Sequence, residues 1–502
     1  MNLTSFFLDR NLAEGRADRT ALICEDRSYS YAELAELTNR TGNVLHELGV
    51  RAGDLVLLAL SDGAEFVATW YAAQKLGAVT AEVYTFLQPK DYAYYLSYTG
   101  AKLVVADQVT LAPLRAAGGR DLLVAGVPAE EVLPHERPFR TLVDLASAEL
   151  APAPVREEDV AIWKFTTGST GSPKACVHPA RSPLASFRHY AVEVLGLRQD
   201  DRVLAVPKLF FGYARDLAAM FPFGVGGSGI AFPQRSTAEL IFELIERHRP
   251  TVLVNVPTMM SAMLAHPAAA TADLSSLRLC TSAGEALPEE LHRKWDKAFG
   301  VEVIDGIGSS EAYHIYLSNR PGRPRHGTLG QVVPGYSARV LGEAGEPLED
   351  GEIGTLEVTG PTIALEYRGD EEKSARTFQG DTLRSGDLFS RDAEGYFSHR
   401  GRADDLLKVG GIFVSPAEIE HCLIGHPEVL ECAVLGYESD GLTRARAFVV
   451  TVPDAEVTAD ALREYAKERL AGHKCPRDFR FVPSLPRTAN GKLDRRALRE
   501  RS

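Results

Sequence analysis

The chain has 502 residues, with 45% hydrophobic and 25% charged side chains, a globular balance that excludes disordered and fibrous classes. Acidic residues outnumber basic ones 68 to 55, and the net charge of −13 argues against a nucleic-acid partner. Six scattered cysteines without a CxxC pair read as reduced thiols, and no apolar run is long enough to insert in a membrane. At the N-terminus Asp9 and Arg10 follow a brief apolar patch with no basic lead-in, so no signal peptide and a cytoplasmic compartment are expected. Residues 54–60 (DLVLLAL) suit a buried strand, 64–76 a helix stopped by Gly77, and 102–106 a second buried strand. That order predicts parallel α/β layers. The alternation returns at 202–206, 238–249, 251–256 and 277–281.

From about Gly330 short glycine-bounded segments, among them 354–358 and 395–398, predict a β-rich antiparallel piece. Residues 415–424 read as a helix capped by Ser415, with Pro416 first and Glu418 completing a capping box. Strands are expected at 429–435 and 444–450, and a helix at 459–470. The chain thus divides into a large core, 1–403, and a small α+β domain, 404–502, hinged within the charged turn at Asp404.

The sharpest chemical signal is residues 166–174, TTGSTGSPK, after the strand-like 161–165. Glycine and hydroxyl side chains let backbone N–H groups approach anionic oxygens. The spacing is not GxxxxGK[ST] and Pro173 precedes the lysine, so a Walker NTPase is disfavoured.

TTGSTGSPK resembles the phosphate loop of the adenylate-forming acyl-CoA synthetases, which include firefly luciferase and peptide-synthetase adenylation domains. Further segments resemble that family in order: Gly284–Pro288 (adenine side), 305–311 (DGIGSSE, adenine and metal), 385–387 (SGD, ribose), 401–405 (GRADD, hinge) and 490–492 (NGK, terminal lysine). DGIGSSEAYHIYLSN and PKLFFGY look most like the benzoate-CoA ligase branch. The resemblance implies a large α/β N-terminal domain with a β-rich subdomain and a small mobile C-terminal lid. It implies an AMP-forming carboxylate–CoA ligase using ATP, Mg²⁺ and CoA, with a benzoate-type acid, plain or hydroxy- or amino-substituted. A small aliphatic or 2-hydroxy acid is the alternative substrate, and a carrier-protein thiol the alternative acceptor.

Residue by residue, the resemblance places Thr167, Gly168, Ser169, Thr170, Gly171 and Lys174 on the β- and γ-phosphates. Glu311, with Thr167, is the candidate magnesium site, since a hard carboxylate suits a hard cation. Ser310 reaches the α-phosphate or the carboxylate. Gly284, Glu285, Ala286, Asp305, Gly306 and Ile307 take the adenine side, with Ile307 where many relatives carry a stacking tyrosine. Asp387 accepts from the ribose hydroxyls, and Arg402 contacts ribose or phosphate. Phe211, Gly212, Tyr213, His314, Ile315, Gly308 and Gly330 form the acyl pocket, with His314 a donor to the carboxylate. His178 braces the phosphate loop. Lys492, on the tight turn Asn490–Gly491, neutralises charge during adenylation. Rotation at Asp404 then brings Gly410 and Gly411 in to pass the pantetheine arm. Arg215 and Asp216 follow the aromatic run. They either face water at a helix start or line the far pocket wall, where burial demands a partner such as a polar substituent on the acid.

Overall fold

The computed structural model describes residues 1–167, 172–402, 407–409, 412–439, 442–452, 454–487 and 493–500. Two large sheets dominate it. In the first, the neighbours run Glu366–Tyr367, Pro173–Pro179, Val160–Thr167, Val79–Glu82, Leu55–Ala59, Leu103–Asp107, Leu123–Ala125 and Arg137–Pro138. The second has Val303–Gly308, Leu279–Ser282, Val252–Asn255, Arg202–Ala205, Ser228–Ala231 and Thr20–Cys24 in its interior, flanked by shorter strands. Both are parallel through the middle and antiparallel towards an edge. Strand–helix–strand order dictates this, because a parallel neighbour needs a crossover.

The strands are apolar on both faces for a stated reason. Val56 and Leu58 face a central core shared by the two sheets, whereas Leu55, Leu57 and Ala59 face an outer one. In the second sheet Val203 and Val252 face the centre, and Leu204 and Leu253 the far side. Successive residues point to opposite faces, so a strand covered twice must be hydrophobic throughout. Helix Ala64–Lys75 packs in this central layer with nearly every side chain buried. Its one cation, Lys75, reaches Asp9 at 2.9 Å and Asn39 at 2.7 Å.

The expected β-rich piece is a third, antiparallel sheet of Ser337–Leu341, Gly354–Thr359, Thr382–Arg391, Phe378–Gln379 and Phe397–Arg402. Further on, Val429–Ser439 pairs with Leu442–Thr451, which pairs in parallel with Asp478–Phe481. Helices Pro416–Ile424 and Ala459–Lys467 cover it, and residues from Val414 to Phe479 form a separate core.

One local expectation fails. Ser415 makes no side-chain cap: its hydroxyl is buried without a partner, and Glu418 instead binds Lys474 at 2.6 Å. A tertiary ion pair has taken the residue that a capping box would use. The six cysteines are unpaired. Among the described residues no helix is long and apolar enough to cross a membrane.

Candidate active site

The strands Val160–Thr167 and Pro173–Pro179 run antiparallel, with Thr166 opposite Lys174. The glycine-rich loop therefore joins two strands, whereas a P-loop leads from a strand into a helix. Gly168, Ser169, Thr170 and Gly171 lie outside the described residues, as do the Thr167 side chain, Asp404, Gly410, Gly411 and Lys492. Lys174 is ion-paired with Asp370, and that contact holds the aspartate below the usual carboxylate range. To take a phosphate, the lysine must exchange that partner.

From Val303–Gly308 the chain turns and returns antiparallel as Ile315–Ser318. The turn leaves no space for side chains at two expected pocket glycines. A Cβ on Gly308 would stand 2.3 Å from the His314 carbonyl oxygen; on Gly330 (φ 76°), 2.1 Å from the Ser318 carbonyl oxygen. Both are demanded by close backbone approach. Within the turn, His178 Nε2 donates to the Ser310 carbonyl at 2.7 Å, and Ser310 Oγ donates to the Phe165 carbonyl at 3.2 Å. Burial pushes the His178 imidazole down to about 3, so it is neutral, with its proton on Nε2. It thus braces the Ser310 turn, one step away from its expected role at the phosphate loop. Glu311 accepts from the Tyr367 hydroxyl at 2.8 Å, and its own carbonyl accepts from Ala364 N–H at 2.8 Å. A carboxylate oriented this way fits a hard divalent cation.

The acyl residues fall on two sides of Gly212. On one, Tyr213 shares a 2.6 Å hydrogen bond with Thr281, and the His314 ring lies 5.8 Å from Tyr213, 5.3 Å from Tyr190 and 5.2 Å from Phe221. Burial pushes His314 down to about 3. The Tyr213 backbone lies close without reaching hydrogen-bond geometry, and both ring nitrogens are buried without a partner. A neutral imidazole with an unused N–H can donate to a carboxylate. Ile315 is buried beside it. Tyr190 and Phe221 were not singled out in the sequence, where no motif marks them. On the other side, Phe211 clusters with Phe210 at 4.9 Å and Tyr84 at 5.2 Å. There a cavity of about 70 Å³ is lined by Glu82, Lys164, Phe165, Phe211, Gly212 and Ser310 among others. Larger hollows of about 440 and 620 Å³ lie around Trp163 and Phe187, and no expected site residue lines them.

Arg215 and Asp216 do not face water: they are 1% and 0% exposed. Nor do they need a substrate as partner. Arg215 binds Glu82 at 2.5 Å and Asp216 at 2.7 and 2.9 Å; Asp216 binds Lys164 at 3.0 Å. Two cations and two carboxylates thus neutralise one another beneath the cavity, as buried charges must. Burial alone would raise the Asp216 carboxyl, but Arg215 and Lys164 outweigh it and hold it below its usual value. Burial lowers the Lys164 ammonium to about 8, against the attraction of Asp216.

On the nucleotide side, Asp387 lies inside the strand Thr382–Arg391, directly opposite Arg402. Arg402 Nη1 and His399 Nε2 each stand 3.9 Å from its Oδ1. His399 was missed, because only strand register brings it there. Glu285 accepts from Thr258 N–H at 3.2 Å and its hydroxyl at 2.6 Å, while its neighbours Gly284 and Ala286 are exposed. Asp305 is buried, which raises its carboxyl well above normal, and its Oδ1 has no partner. Gly306 backs onto the Leu317 carbonyl, and Ile307, opposite Leu317, packs half-buried on the third sheet. Elsewhere, ligand atoms of His292, Asp296 and His326 lie within 4.8 Å of one another, but His326 and Asp296, at 2.8 Å, already engage each other.

Comparison with known proteins gives concordant matches. The AMP-binding enzyme family matches residues 8–368, and the AMP-binding enzyme C-terminal domain matches 418–492. Benzoate–CoA ligase of Thauera aromatica is 40% identical over 509 residues, covering 99% of this chain and 95% of that one. 4-Hydroxybenzoate–CoA/benzoate–CoA ligase of Rhodopseudomonas palustris is 37% identical, covering 98% and 93%. The crystal structure of an anthranilate CoA ligase with anthranoyl-AMP superposes with a TM-score of 0.95 at 38% identity, covering 100% and 97%.

Proposed function

Because the chain belongs to the AMP-binding enzyme family, we propose that it activates a benzoate-type acid as its acyl adenylate and transfers the acyl group to CoA. The observation that carries this reading is the meeting of the turn 310–314, which carries Glu311, with Lys164 and Phe165 of the Val160–Thr167 strand and, through His314, with Tyr213. It supports the reading because a carboxylate able to hold a cation, on Glu311, then stands in the same turn as an imidazole ringed by aromatic side chains.

In the first half-reaction a carboxylate oxygen attacks the α-phosphorus and pyrophosphate leaves. Two anions must approach, so neutralising charge is the main requirement. Lys174 and the loop N–H groups would hold the β- and γ-phosphates, and Lys492 would lie against the carboxylate and α-phosphate. Mg²⁺ would be held at Glu311, with Thr167, where it supplies charge neutralisation on the phosphates. His314 would donate its N–H to the carboxylate, fixing the oxygen that attacks, while Tyr213 and Phe221 pack against the ring. Asp387 and Arg402, facing each other across two strands, would hold the ribose. In the second half-reaction the CoA sulfur attacks the acyl carbonyl and AMP leaves. Residues 404–502 would turn about Asp404 between the two steps, exchanging Lys492 for Gly410–Gly411.

The test is ATP–pyrophosphate exchange with benzoate, 4-hydroxybenzoate, 2-aminobenzoate, lactate and acetate, followed by mass detection of acyl-CoA after adding CoA. Exchange with aromatic acids and thioester on free CoA support the reading. Exchange without thioester unless a carrier protein is added would replace CoA as acceptor, and preference for acetate or lactate would remove the aromatic assignment.

A further inference from the structure

Tyr313 has φ 67°, a left-handed backbone conformation that a bulky residue adopts only when its surroundings hold it there. It sits between Glu311–Ala312 and His314, so its conformation decides how the metal-side carboxylate and the acid-side imidazole are spaced. Three contacts from the buried charge cluster converge on it. Lys164 Nζ donates to its carbonyl at 2.6 Å and lies 3.6 Å from its ring centroid. Arg215 Nη2 donates to its hydroxyl at 3.2 Å. The same ammonium bonds Asp216 at 3.0 Å, which aims it. Glu82, which accepts from Trp70 Nε1 at 2.8 Å and from Arg215, anchors the far end. Gly212 completes the arrangement: a Cβ there would stand 2.4 Å from Lys164 Nζ, so the glycine is what admits the ammonium.

We propose that Lys164 is a positioning residue: by gripping the carbonyl and ring of left-handed Tyr313 it sets the distance between Glu311 and His314. The inference rests on the ligase reading. Lys164 belongs to the strand that ends in the phosphate loop, and its neighbour Phe165 accepts from Ser310. Strand and turn are therefore tied at two adjacent residues, so the Val160–Thr167 strand and the turn that carries Glu311 and His314 share one frame. A charge-assisted bond into a carbonyl is stronger than a neutral one, and here both Lys164 and Tyr313 are buried.

The test combines Lys164→Met with Asp216→Asn, which removes one charge of each sign and leaves Arg215 paired with Glu82. The expected result is an adenylation kcat at least tenfold lower, with the KM for ATP within threefold and a melting point above the assay temperature. A loss confined to kcat is not what a merely weakened fold would give. Lys164→Gln, which can still donate to the Tyr313 carbonyl, should recover at least threefold of that loss. If the double variant keeps wild-type kcat, or if glutamine recovers nothing, the proposal is overturned. Failure of both variants to fold would make the residue structural and also overturn it. The parent reading fails separately, through absence of exchange in the unaltered enzyme.

Discussion

Replacing Arg215 by methionine removes the central cation of the buried cluster while preserving much of its volume. The guanidinium contacts Glu82 at 2.5 Å, Asp216 at 2.7 and 2.9 Å and the Tyr313 hydroxyl at 3.2 Å. Both carboxylates are almost wholly buried, at 3% and 0% side-chain exposure, and in the variant only Lys164 remains to balance them. Breaking a buried ion pair from one side costs about 3–5 kcal/mol, because it leaves an uncompensated charge. At about 2 °C per kcal/mol for a unit of this size, the melting point should fall about 6–10 °C at pH 7. The pH dependence has a definite sign. In the parent protein Asp216 is held below its usual value, so its contribution is present above the unfolded carboxylate range near 4 and is lost only as pH falls through the folded value. Without Arg215 the surplus carboxylate takes up a proton at higher pH, which relieves the strain. Scanning fluorimetry at pH 7 and pH 5 should therefore show a smaller gap at pH 5. A shift below 2 °C at pH 7, or a gap that widens on acidification, would refute the argument.

Three other outcomes are expected. Asp387→Asn should raise the KM for ATP about 10–100-fold, the loss of charge-assisted bonds of about 1.5–3 kcal/mol, and leave the KM for the acid within twofold; equal rises in both would remove the ribose assignment. Gly308→Ala should abolish adenylation even where the chain stays folded by circular dichroism, since its Cβ would stand 2.3 Å from the His314 carbonyl oxygen and must displace that residue; a variant with normal kcat contradicts this. Lys492→Ala should lower adenylation about 10²–10³-fold while pre-made acyl adenylate still gives thioester, and an equal fall in both steps would reject the assigned role.

Much of the fold was legible because its strands are short apolar runs punctuated by glycine. Residues 54–60 and 102–106 were expected as buried strands and are strands at Leu55–Ala59 and Leu103–Asp107, covered on both faces. Motif residues were legible as types, but their neighbours were not. Glu82 and Arg215 are 133 positions apart, and Lys164 and Tyr313 149, so no local pattern announces either pair. Arg215 and Asp216 suited a solvated helix start in sequence; only the apposition of strand Val79–Glu82 and helix Gly212–Ala219 shows that they are buried and mutually paired. Ser415 misled for the opposite reason: its capping pattern is complete in sequence, yet Lys474 claims the glutamate. The left-handed Tyr313 carries no sequence signal, since tyrosine rarely adopts that conformation.

The claim that most needs a direct test is the acyl adenylate itself. With benzoate labelled by ¹⁸O in both carboxylate oxygens, ATP and CoA, attack on the α-phosphorus leaves one labelled oxygen on phosphorus when the sulfur displaces AMP. Mass spectrometry of the products should find one ¹⁸O in AMP, none in pyrophosphate, and one in benzoyl-CoA. Label in inorganic phosphate with ADP as co-product, or unlabelled AMP, would contradict the account.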